Sequence, residues 1–228
     1  MTLNKEQLLA IKSFIEKRGI IYLDVQMEIL DHVASSIEEK ITTNPSLNFE
    51  EVLKQTHLSF GVLGFSVIET GIVNALSKRY NRFFWKNFLS FFGLKYIPIV
   101  FFGIFLIYQT QLRVTDRLEF LCVIIFVLIV VAFFRSILSI RNRAFKKLMS
   151  YRISSTYTPL GGVALIYINN YLSSTEISSP VAGLNLSYLV VSLLLTVFII
   201  YCIAAIKTSF KGIKESKSLM EKYKILYS

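Results

Sequence analysis

The sequence predicts an all-α protein: a small N-terminal cytoplasmic helical bundle followed by a four-helix polytopic transmembrane domain. Three observations lead to that fold class. First, the 228 residues are 54% hydrophobic and only 18% charged, whereas a soluble domain carries about 25% charged residues. Together with a mean hydropathy of +0.55, this excludes a disordered chain and argues against an ordinary soluble one. Second, charge is segregated. Through Ser77 there are six basic and ten acidic side chains, a balance of −4, whereas residues 78–228 hold nineteen basic and five acidic ones, a balance of +14. Third, beyond residue 82 long apolar stretches alternate with basic clusters. The net charge of +10 is therefore a topology signal, and nucleic acid is not an expected partner.

The N-terminal module, residues 1–80, reads as helices with clear starts and stops. Asn4 with Gln7 forms a capping box, in which the two side chains satisfy free N–H groups of the first turn. Leu8, Ile11, Phe14 and Ile15 give that helix one apolar face, and Gly19 after Lys17-Arg18 stops it. A second helix is expected over Tyr22–Thr42. Its Val25, Ile29, Val33, Ile37 and Ile41 recur every four residues, as one face of a helix requires, and Asn44-Pro45 ends it. Asn48 with Glu51 suggests another capping box, opening a helix with Val52, Leu53, His57 and Phe60 inward. Gly61 and Gly64 punctuate the chain before a last helix that passes Val67 and Ile68 and ends near Tyr80. A bundle of this size has a marginal core when alone, so docking to a partner or to the membrane part is expected.

Residues 81–206 are expected to form the transmembrane domain. Spanning a hydrocarbon core about 30 Å thick takes roughly 20 apolar residues. The segments 118–140 and 186–206 meet this, the first if Arg135 faces protein or snorkels. The segment 88–109 meets it if Lys95 does the same. The segment 157–173, with Pro159, Gly161, Gly162, Asn169 and Asn170, either crosses with protein neighbours around its polar groups or is re-entrant; the charge asymmetry favours the crossing. Four spans place sixteen basic residues on one side, in the clusters Lys78–Lys86, Arg135–Arg152 and Lys207–Lys224, against Arg113 and Arg117 on the other. The positive-inside rule then makes both termini cytoplasmic, in a bacterial inner membrane. Lys5, Glu6, Lys12, Glu16, Lys17 and Arg18 interrupt any apolar core of a secretory signal at the start. Cys122 and Cys202 fall in expected spans and read as packing thiols rather than a disulfide. Residues 207–228 read as a basic amphipathic helix lying on the inner membrane surface, with Phe210, Ile213, Met220, Tyr223 and Tyr227 at helical spacing.

Candidate functional residues fall in three groups. Glu28, Asp31, His32 and Ser35 share a helical stripe, with Glu38 and Glu39 one turn beyond. This is an acidic face suited to a protein partner or to the basic loop Arg141–Arg152. A carboxylate–His metal site that adds His57 is the minority reading of the same residues. Arg82, Trp85 and Lys86, inside the basic and aromatic run Lys78–Phe92, suit the headgroup region of a bilayer with anionic lipids. Lys95, Arg135, Asn169 and Asn170 are the intramembrane polar candidates, and with Tyr167 they are the residues a substrate pathway would use. No acidic residue lies deep in an expected span, which argues against proton-coupled transport. No phosphate-loop, dinucleotide, zinc-protease, nucleophile-elbow or C-x-x-C motif occurs. With two histidines and two separated cysteines, an enzyme is not expected and no cofactor or metal is assigned.

The run Tyr22-Leu23-Asp24-Val25-Gln26-Met27-Glu28-Ile29-Leu30-Asp31-His32-Val33, then Ile37-Glu38-Glu39, is followed by the helix after Asn48 and by Gly61. Over residues 1–80 this resembles the HAAS-type cytoplasmic helical signalling domain of bacterial membrane proteins, in which an acidic E-x-x-D-H helix precedes transmembrane helices. Val62-Leu63-Gly64 stands where that family often has a proline after the glycine. The resemblance implies a sensing or regulatory module and supplies no catalytic residues. The expected function is therefore a non-enzymatic membrane protein making regulatory contacts with a protein partner or a second copy of itself. A small transporter or transporter subunit is one alternative, and a structural or assembly subunit of a membrane complex is the other.

Overall fold

The computed structural model describes residues 3–61, 64–113, 133, 136–157 and 185–227. Among these residues the chain is helical and contains no strand. Four helices come first: α1 (Lys5–Lys17), α2 (Leu23–Thr43), α3 (Phe49–Ser59) and α4 (Phe65–Ser90). They are followed by α5 (Ile97–Arg113), a 3₁₀ turn at Arg143–Lys147, the short α6 (Met149–Ser155) and the long α7 (Leu186–Tyr227). The expected spans 118–140 and 157–173, with Arg135, Asn169 and Asn170, lie almost wholly outside the described residues.

The chain divides into two compact units. The first comprises Met1–Tyr80, Ala144–Ile153 and Gly212–Ser228, the second Asn81–Arg143 and Ser154–Lys211. In the first unit the expected local chemistry is present at α1. The Gln7 N–H donates to Asn4 Oδ1 at 2.8 Å and the Asn4 N–H donates to Gln7 Oε1 at 2.9 Å, which closes the capping box. The four-residue spacing of α2 buries Val25, Ile29, Val33 and Ile37 completely, against Ile11 and Ile15 of α1 and Val52 of α3. Each such side chain contributes about 1.5–3 kcal/mol by leaving water, and this core is what holds the three helices. Asn48 does cap α3, but its side chain accepts from the Glu50 N–H at 3.2 Å. It thus satisfies a first-turn donor one residue earlier than the expected box with Glu51 would. Gly61 and Gly64 both take positive φ, turning the chain between α3 and α4.

Three boundaries differ from expectation. The last helix of the N-terminal module does not end near Tyr80, because α4 runs unbroken from Phe65 to Ser90. The expected span 88–109 is not one helix: α4 stops at Ser90, a turn follows, and α5 begins at Ile97. Pro98 gives the reason. Proline lacks an N–H and breaks a helix interior, but it is tolerated in a first turn, so the chain restarts just before it, with the Gly93 N–H closing on the Ser90 carbonyl at 3.2 Å. Finally, residues 207–227 do not form a separate helix. They are the continuation of α7, a single 42-residue helix, and from Gly212 onward they belong to the first unit.

In the second unit, α7 is long and apolar enough to cross a membrane, with a mean hydropathy of 2.9 over its most apolar stretch. Asn185 caps it, accepting from the Tyr188 N–H at 3.3 Å. α5 is a shorter apolar helix that packs antiparallel to the start of α7. Gln111, near the end of α5, donates to the Tyr188 carbonyl at 3.1 Å and to Ser192 Oγ at 2.7 Å, and a Cβ at Gly103 would meet Thr196 at 3.9 Å. A buried amide joining two apolar helices in this way is a recurrent device where lipid surrounds the pair. The outward faces carry Ile99, Phe101, Phe102 and Phe105 on α5, and Leu186, Leu193 and Ile199 on α7, all exposed.

Candidate functional site

Helix α2 separates its residues sharply. While Val25, Ile29, Val33 and Ile37 face the core, Glu28, Asp31, His32, Ser35 and Glu39 are exposed. The stripe expected on helical spacing is therefore a surface. His32 Nε2 lies 4.0 Å from Glu28 Oε1, with both side chains more than half exposed, so water screens the pair and it fixes little. Glu38 departs from the expectation. It is partly buried and its Oε1 accepts from the Leu3 N–H at 2.9 Å, so it ties the N-terminal segment to α2.

His57 is not a neighbour of this stripe. Its ring sits 5.4 Å from Phe14 and 4.6 Å from Phe65, centroid to centroid, and its Nδ1 is buried without a hydrogen-bond partner. Burial, and then the Arg18 guanidinium, push its pKa below the usual 6.5, so near neutral pH it packs as an uncharged aromatic. Among the described residues no three His, Cys, Asp or Glu side chains come together.

The basic loop does associate with the N-terminal module, but not through the stripe. Asp24, in the first turn of α2, accepts from the Met149 N–H (2.8 Å, Oδ1), the Ser150 N–H (2.8 Å, Oδ2) and Ser150 Oγ (2.5 Å). One carboxylate therefore caps the start of α6 across 125 residues of sequence, satisfying donors that a helix start leaves free. Arg152 adds a hydrogen bond to the Tyr22 hydroxyl. Arg143, Lys146 and Lys147, which the charge argument favoured, stay exposed.

The end of α7 makes further long-range contacts within this unit. Glu215 Oε2 accepts from Arg79 at 2.7 Å and from the Tyr80 hydroxyl at 2.5 Å, and Lys12 Nζ stands 5.1 Å from the Tyr223 ring centre. Tyr80 is fully buried, and burial followed by the Glu215 carboxylate raises its phenol pKa well above 10. Sequence reasoning missed both Asp24 and Glu215. Glu215 had a visible mark, being one of two acidic residues in a lysine-rich tail, whereas Asp24 had none to separate it from the acidic run.

In the second unit, Arg82, Trp85 and Lys86 are all exposed. They lie on one face of α4 at i, i+3 and i+4, and Leu89 extends it. The opposite side of the same turns is buried: Phe84 packs on Ala204 and Ala205, with Phe88, Tyr157 and Tyr201 around it. Of the intramembrane polar candidates, only Lys95 lies among the described residues. It is exposed in the turn before α5, 5.5 Å from the Tyr96 ring centre, and so is not inside a helical span as the sequence suggested. No family model, curated protein or solved structure matches the chain.

Proposed function

We propose that the chain is a non-enzymatic integral protein of a bacterial inner membrane. Its N-terminal helical unit makes regulatory contacts with another protein through the exposed face of α2. The observation that carries this reading is the separation on α2 itself, where a sealed apolar core on one side backs Glu28, Asp31, His32 and Glu39 on the other. Three carboxylates held on a rigid helix select a basic partner surface and suppress acidic ones by repulsion. The resemblance of residues 1–80 to HAAS-type signalling domains supports the same reading, as does the apolar length of α7. Four crossings with both termini cytoplasmic remain the topology best matched to the basic clusters.

The test uses full-length protein, tagged at its C-terminus and captured in mild detergent from its native host, beside a Glu28→Lys/Asp31→Lys/Glu39→Lys variant. A partner recovered stoichiometrically with the first and lost with the second is the expected result. Equal recovery with both, or no partner with either, overturns the reading. A phosphatase or fluorescent reporter fused after Ser228 tests the topology separately, and a periplasmic C-terminus refutes it.

A further inference from the structure

The C-terminal turns of α4 carry a surface whose occupant can be argued from its depth. Residues 186–206 of α7 contain no charged side chain, and Lys207 is the first after them. Where such a segment spans a bilayer, Lys207 marks the boundary between hydrocarbon and headgroups. α4 packs at this level. Phe84 lies against Tyr201, with ring centroids 5.2 Å apart, and against Ala204 and Ala205. One residue beyond α4, the Phe91 ring centre is 5.3 Å from Lys207 Nζ. The turns of α4 from Phe84 to Ser90 therefore stand beside the last two turns of the apolar segment.

At that depth the exposed side of α4 presents Arg82, Trp85, Lys86 and Leu89, and the turn that follows exposes Phe92 and Leu94. Trp85 is held edge-on between Phe84 and Phe88, with centroids 5.5 Å and 5.4 Å away, while leaving 48% of its surface open. An indole with an apolar body and a polar N–H is suited to this boundary. The described residues of this unit contain no Asp or Glu, so the unit offers Arg82, Lys86 and Lys207 no carboxylate of its own among them.

We propose that Arg82, Trp85, Lys86 and Leu89 of α4 bind the phosphate-bearing headgroups of anionic lipid in the leaflet at this end of α7. The cations meet the phosphates, Trp85 lies at the glycerol level, and Leu89 with Leu94 enters the acyl boundary. This rests on α7 spanning the bilayer and is independent of the partner of α2. It differs from a general preference for anionic membranes in naming one face of α4 and the depth at which that face stands.

Trp85 is the chain's one tryptophan and reports the site directly. Full-length protein is placed in nanodiscs with phosphatidylcholine or phosphatidylglycerol brominated on the acyl chain, at equal mole fraction, and Trp85 emission is measured. Phosphatidylglycerol should be preferred at Trp85 by about fivefold or more, since each cation near an anionic surface contributes about a fivefold effect. The preference should fall towards one in an Arg82→Gln/Lys86→Gln variant and at high salt, and survive Arg113→Gln at the far end of α5. If the double variant does not insert, Arg82→Gln and Lys86→Gln singly must each lower the preference. Equal quenching by both lipids in the unaltered protein overturns the proposal, as does a preference that the substitutions leave intact. Absence of quenching by either lipid also overturns it and leaves an acidic protein segment as the occupant. None of these readings depends on whether a protein partner is recovered through α2.

Discussion

Replacing Gly64 by alanine should loosen the N-terminal unit more than the same change at Gly61, because the two positions share one cost and differ in another. Both have positive φ, +52° at Gly64 and +79° at Gly61, and alanine held in that region costs about 1–2 kcal/mol. At Gly61 an added Cβ meets nothing within 4 Å, so the backbone cost stands alone. At Gly64 the Cβ would fall 2.6 Å from His57 Cε1, with Nε2 at 3.4 Å and Nδ1 at 3.5 Å. The ring must move, yet Phe14 and Phe65 flank it. Forcing it off its rotamer adds about 0.5–1.5 kcal/mol, for a total of about 1.5–3.5 kcal/mol. Hydrogen exchange of the α2 core amides, at Ile29, Val33 and Ile37, reads the change in opening free energy in the full-length protein in nanodiscs. At tenfold per 1.4 kcal/mol, exchange should accelerate by about 5–30-fold for Gly61→Ala and about 10–300-fold for Gly64→Ala. A second comparison isolates the contact: His57→Ala should cost less in the Gly64→Ala background than in the unaltered protein. Equal acceleration at the two glycines, with additive behaviour of the pair, would refute the steric argument.

Asp24→Ala should release α6 by removing an acceptor from three donors; a loss of about 1–3 kcal/mol is expected, read as faster proteolysis within 144–153 while α1 stays protected. Glu215→Ala should destabilise the first unit far more than Arg79→Ala, as judged by exchange of α4 amides near Tyr80. The reason is that Tyr80 is fully buried, whereas the Arg79 side chain is half exposed and its ion pair is screened. His57 predicts an acid-sensitive bundle. Its folded pKa lies below the ordinary 6.5, so the unfolded chain takes up the proton first, and the stability present above about 6.5 falls as pH drops below it. His57→Phe should flatten that dependence in pH-resolved exchange without removing the aromatic packing.

How much of this was legible depends on whether the feature is local or long-range. The capping box at Asn4, the four-residue spacing of α2 and the stop at Gly61 are each decided within a few residues, and all three are present as read. The break between α4 and α5 was local too, but hydropathy concealed it. Averaged over 88–109 the segment is apolar, yet Pro98 in a helix interior was a stronger constraint than the average. Nothing local marked Asp24, because the donors it satisfies arrive from Met149 and Ser150. On the stripe, spacing identified which residues share a face, but it could not show that Glu38 is occupied by the Leu3 N–H while Glu28, Asp31 and Glu39 remain exposed.

The tail shows why amphipathicity identifies a covered face without identifying its cover. A lysine-rich helix is drawn by an anionic leaflet and equally by an acidic bundle, and the balance of −4 through Ser77 makes the bundle such a surface. Apolar spacing at Phe210, Ile213, Met220 and Tyr223 suits either. Past Lys207 the tail continues as part of the 42-residue α7, and one contact within the first unit favours the bundle as its cover. Glu215, which a negative leaflet would repel, instead receives hydrogen bonds from Arg79 and the buried Tyr80. The residue that departs from a charge pattern therefore tells more about its neighbour than the residues that make the pattern.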